Sequence, residues 1–182
     1  MVEPQQADAR SGRGAPPAPG ASLVSIRREW TARAVHRTLG EKRPVRYRPD
    51  GKPEIDGASV SASHGAGVTL AVTGKGMLGC DVQAVRDLPD DDSLLGEHAA
   101  LARFVAGETG ETVPVARARV WAALECLRKA GSAVVGQATF DGRPGPGWVT
   151  FTVGQSRTAT FATSLATIDG EVVFAVQTEQ RG

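Results

Sequence analysis

The last third of the chain constrains the fold most, because its apolar residues fall on alternate positions: Val149, Phe151 and Val153, then Ala159, Phe161 and Leu165 with Thr163 in phase, then Val172, Phe174 and Val176. A period of two places one face of each run against a core, which is the pattern of strands. Asp169-Gly170 between the last two runs is a hairpin signal, so these strands pair antiparallel. Two other stretches have the helical period. Leu23 to Leu39 repeats it through Ile26, Trp30, Ala34, Val35 and Leu39, with Gly40 placed to stop it; Pro114 to Ala130 does so through Val120, Leu124 and Leu127, ending at Gly131. The acidic turn Pro89 to Asp92 leads into a further expected helix from Ser93 to about Val105, with an apolar stripe of Leu94, Leu95, Leu101, Phe104 and Val105. Val45 to Arg48, Ala58 to Ser63, Gly67 to Thr73 and Leu78 to Val85 complete the strand candidates. The fold class that follows is α+β, mainly antiparallel strands packed with a few helices.

A chain of 182 residues is long enough to bury one core. Residues 1–20 hold four prolines and three glycines and no branched aliphatic residue after Val2, so they read as a disordered tail or linker ahead of one domain over 21–182. With 41% hydrophobic and 23% charged residues, wholesale disorder and membrane insertion are both excluded as classes. No apolar run approaches the roughly 20 residues of a spanning helix, and the N-terminus has no apolar signal region, so a cytoplasmic location and no membrane partner are expected. Cys80 and Cys126 lack zinc spacing and read as reduced packing residues. Charge is segregated. Between Arg27 and Lys52 nine Lys/Arg stand against three acids, a net +6, whereas from Pro53 onward ten basic residues face fifteen acidic ones, a net −5. The first third is thus a candidate anion-binding surface. No nucleic-acid partner is expected, because neither an aromatic stacking motif nor a reading element accompanies it.

Three short segments carry the chemistry: Gly51-Lys52-Pro53 followed by Ser63-His64, then Gly79-Cys80-Asp81-Val82-Gln83, then Trp121 to Lys129 with Glu125 between. In this order and spacing, over roughly residues 28–130, they resemble the 4′-phosphopantetheinyl transferase family. Its members show a Gly-Lys-Pro turn, a Ser-His ending a strand, a Gly-x-Asp-x-Glu strand and a Trp-x-x-Lys-Glu-x-x-x-Lys helix. The chain also resembles the transferase domain at the C-terminus of iterative polyketide synthases of the enediyne type. The resemblance implies a transferase-like α+β fold and transfer of the phosphopantetheine arm of coenzyme A to a serine of an acyl carrier protein or domain. It also implies a Mg²⁺ requirement and release of adenosine 3′,5′-bisphosphate. By the same resemblance Asp81 and Glu125 are metal ligands, and Glu125 also helps to deprotonate the acceptor serine. Lys129 stabilises the phosphates, while Lys52, Ser63 and His64 hold the 3′-phosphate of coenzyme A. Arg33 or Arg37 of the first helix would add charge there.

The chemistry asks for these residue types in its own right. Phosphoryl transfer needs neutralised phosphates, a positioned nucleophile and a base, and magnesium favours one or two carboxylates beside phosphate and water. Because side chains alternate on a strand, Asp81 and Gln83 share a face that Cys80 and Val82 do not. Two positions depart from the family. Gln83 stands where a second strand carboxylate is usual and is a poorer candidate ligand; Leu124 replaces the first lysine of the helix motif. These departures motivate the alternative of a non-catalytic coenzyme A or carrier-protein binding module of the same fold. A Ser63-His64 nucleophile is excluded, since strand neighbours point to opposite faces.

Overall fold

The computed structural model describes residues 2–4, 23–89, 93–131 and 136–178. In chain order these form β1 (Val2–Pro4), α1 (Leu23–Leu39), β2 (Arg46–Tyr47), β3 (Pro53–Glu54), β4 (Ser59–Gly65), β5 (Val68–Gly74), β6 (Leu78–Ala84), α2 (Ala99–Thr109), α3 (Val113–Ala130), β7 (Thr139–Gly142), β8 (Trp148–Val153), β9 (Ser156–Ser164) and β10 (Glu171–Thr178). All strand pairs are antiparallel. A three-stranded sheet runs β1-β5-β4, a five-stranded sheet β6-β10-β9-β8-β7, and β2 pairs with β3. The α+β class read from periodicity is therefore present, and the last three strands form a meander with Asp169-Gly170 in its final turn. Within the stretch expected to be a tail, Val2–Pro4 pair with β5; residues 5–20 lie outside the described residues, as does most of the acidic turn, 90–92.

One helix differs from expectation. The stretch from Ser93 is a turn followed by a 3₁₀ segment, Gly96–His98, and α2 begins only at Ala99. Gly96 sits at φ +51°, left-handed backbone that interrupts a helix and that glycine tolerates. The stripe shifts with the start. Ala99, Ala102 and Val105 are buried, whereas Phe104 and Leu94 face outward.

Each face of the sheets has its own cover. Ala34 and Val35 of α1 pack on Val60 and Ala71 of β4 and β5. Leu70 of β5 packs on Cys80 and Val82 of β6 together with Val172 of β10. On the opposite face of the large sheet, Ala118, Ala122 and Cys126 of α3 lie on Val173 and Ala175. Small residues at i, i+4 and i+8 bring that helix down onto the strands. Its other side, with Val120, joins α2 over Val149 and Phe151. Both cysteines are fully buried free thiols, as their reading as packing residues requires.

Arg119 anchors α3 from within. Its guanidinium has no exposed side-chain surface; it pairs with Glu111 through Nε and Nη2 and donates to the carbonyls of Thr160 and Gly147 at 3.0 Å each. A buried guanidinium is tolerable only when so fully partnered.

Candidate functional site

The site lies where α3, β4 and β6 meet. Gly79 sets the approach: a Cβ there would stand 1.9 Å from the carbonyl oxygen of Cys126, so α3 rests directly on the backbone of β6. Alternation then presents Asp81 and Gln83 on the α3 face, opposite Ala175 and Val173 of β10, with Cys80 and Val82 beneath. On β4 the odd residues face β6. Ser61 Oγ accepts from the backbone N–H of Cys80 at 3.1 Å, and Ser63 Oγ donates to Asp81 Oδ1 at 2.8 Å.

Lys129, in the last turn of α3, closes this arrangement. Its Nζ donates to Asp81 Oδ1 at 2.6 Å and to Ser63 Oγ at 2.8 Å. Asp81 is only 6% exposed, so Lys129 supplies the counter-charge that a buried carboxylate requires. Lys52 Nζ donates to the carbonyl of Lys129 at 2.8 Å, a cation at the electronegative end of the helix. Four expected site residues, Lys52, Ser63, Asp81 and Lys129, thus form one connected network.

Glu125, one turn earlier, is partly buried and held by Arg128, whose Nε donates to Oε1 at 3.1 Å and whose Nη2 donates to Oε2. Asp81 and Glu125 are hard oxygen donors on packed elements, a set that suits magnesium when phosphate and water complete the shell. Gln83, on the same face of β6 as Asp81, donates from Nε2 to the carbonyl of Ala84 at 2.9 Å. Among the described residues no cluster of three or more His, Cys, Asp or Glu is placed to hold a metal.

His64 does not share the surroundings of Ser63. It points to α1, with Nε2 2.9 Å from Thr31 Oγ1 and Nδ1 2.9 Å from Thr69 Oγ1. Burial, and then the charges of Arg27 and Lys129, hold its pKa down at about 4, so the ring is neutral at neutral pH. The opposite facing of Ser63 and His64 rules out a direct Ser-His nucleophile.

Two neighbouring pockets that share wall residues make up a cleft beside the site. One compartment of about 320 Å³ is lined by Asp50, Gly51, Lys52, Pro53, Ser61, Ala62, Arg128 and Lys129. The next, about 260 Å³, shares Gly51, Pro53 and Ala62 and is lined further by Val24, Arg27, Arg28, Thr31, Tyr47 and His64. Five cationic side chains and one carboxylate therefore border the cleft. The first-helix arginines there are Arg27 and Arg28, in place of Arg33 and Arg37. Residues 24, 27, 28 and 31 share one helical stripe, and Thr31 turns it to His64; Arg33 lies on another face, paired with Glu29. The stripe through Thr31 was the available signal. No helix among the described residues is long and apolar enough to cross a membrane. Comparison with protein-family models and with curated proteins gave no match.

Proposed function

We propose that this chain is a magnesium-dependent 4′-phosphopantetheinyl transferase acting on a serine of an acyl carrier protein or domain, with coenzyme A as donor. One observation carries the reading. Lys129, which pairs with Asp81 and Ser63, lines a cleft bordered also by Lys52, Arg128, Arg27 and Arg28, so a buried carboxylate stands one contact away from a group of positive charges suited to phosphates. The magnesium ligands would be Asp81 and Glu125, and the ion would neutralise the diphosphate and favour its cleavage.

In the reaction, the acceptor serine oxygen forms a bond to the phosphorus bearing the pantetheine arm. The bond from that phosphorus to the bridging oxygen breaks, and the electron pair leaves with adenosine 3′,5′-bisphosphate. Glu125 takes the serine proton, and Lys129 and Arg128 stabilise charge on the departing phosphate. The 3′-phosphate lies in the compartment of Arg27, Arg28 and His64. Both ring nitrogens of His64 are engaged by Thr31 and Thr69, so the charge on the phosphate is met there by Arg27 and Arg28.

The rival reading, a binding module without turnover, draws on the same network, since Asp81 and Glu125 each already possess a cationic partner. Chromatography of the nucleotide products separates the two. The transferase reading expects adenosine 3′,5′-bisphosphate to appear only with carrier protein and magnesium together, and to be lost in Asp81→Asn and Glu125→Gln. Tight coenzyme A binding with no bisphosphate in any mixture would favour the module.

A further inference from the structure

We infer that Lys129 is a place-holding cation: it occupies Asp81 until a divalent metal displaces it, which makes the metal and an anionic substrate bind as a coupled pair. The inference rests on the transferase reading and concerns how its metal site fills. Three observations carry it. Lys129 Nζ lies 2.6 Å from Asp81 Oδ1, the same oxygen to which Ser63 donates, so the ammonium holds the coordination space on that atom. Asp81 is buried, so the carboxylate cannot exchange this partner for water without cost. Glu125, the second carboxylate, is clasped by Arg128 through both oxygens.

A divalent cation arriving alone would have to separate two ion pairs and leave two displaced positive charges beside it. Arg128 and Lys129 also line the cleft, so an anion bound there gives both a new partner. Metal entry and anion entry each remove the obstacle to the other, and the coupling is reciprocal by linkage. Ser63 steadies the closed form by accepting from Lys129 while donating to Asp81, so its hydroxyl is committed to the gate.

The test is direct binding of Mn²⁺, read by electron paramagnetic resonance on the purified chain without substrate. Lys129→Met should bind Mn²⁺ at least about tenfold more tightly than the unmodified chain, within the usual range of coupling between sites. Lys129→Arg should stay weak, and Asp81→Asn added to Lys129→Met should abolish the gain. Equal affinity in the unmodified chain and Lys129→Met would overturn the place-holder while leaving the transferase reading to the carrier assay. Absence of Mn²⁺ binding to all variants even with coenzyme A present would overturn both. Should Lys129→Met not fold, the ammonium resonance of Lys129 in the unmodified chain decides. It should hold its shift with magnesium alone and move with magnesium plus coenzyme A; movement with magnesium alone overturns the inference.

Discussion

His64 shows how one residue can be legible in one respect and hidden in another. Alternation along β4 separates it from Ser63, and that much follows from the period of a strand. Its neutral state does not, because it depends first on burial of the ring and then on the charges of Arg27 and Lys129, which only the folded chain brings near it. The folded pKa of about 4 lies below the ordinary value of 6.5, so between them the unfolded chain binds a proton that the folded chain refuses. Stability should be level above 6.5 and fall as pH drops toward 4. Urea midpoints at about pH 7 and about pH 4.5 should differ less in His64→Gln than in the unmodified chain; an unchanged difference would remove His64 as a cause. Arg119 was wholly illegible. Nothing in its helical position foretells contacts with Glu111 and two distant carbonyls, which only the folded chain supplies. Arg119→Ala should destabilise by about 3 kcal/mol or more, since it strands a half-buried carboxylate and buried acceptors; a loss below about 1 kcal/mol would contradict that account.

At the scale of elements, long and regular periods are legible in the sequence: α1, α3 and the β8-β9-β10 meander fall close to their expected bounds. α2 departs from its expected start, because the apolar pattern runs through Gly96 whereas the backbone there is left-handed and 3₁₀. The strands β3 and β7 have too few residues to show a period. Which face of α1 meets the cleft was also hidden, because several stripes of that helix carry arginine and packing chooses among them. The α3-β6 approach makes the sharpest claim at this scale. Gly79→Ala forces a Cβ into the Cys126 carbonyl, so α3 must lift or tilt, at about 1 to 3 kcal/mol of overpacking. The same shift would draw Lys129 from Asp81. Thermal unfolding should show the destabilisation, and Mn²⁺ binding should change with it; a variant with unaltered stability would mean that the helix is not seated on Gly79.

Across the whole molecule, the charge segregation seen in the sequence resolves into two populations. Arg33, Arg43, Arg46 and Arg48 are exposed and paired with nearby Glu29, Glu41, Asp56 and Asp50, contacts that contribute little. Arg27 and Arg28 instead face the cleft alongside Lys52, Arg128 and Lys129, cations drawn from the basic first segment and from the last turn of α3. The net charge of the segment was legible, but its division into solvated pairs and cleft wall was not. Replacing Arg27 with Glu should weaken coenzyme A binding by about tenfold at low salt and by less at high salt, as screening of an exposed charge requires; equal loss at both would point to a structural defect. The most direct measurement is the intact mass of an apo carrier protein after incubation with this chain, coenzyme A and magnesium. The account expects a gain equal to one phosphopantetheine arm, absent with Asp81→Asn or Glu125→Gln. An unchanged mass across several apo carriers, with coenzyme A bound, would contradict it.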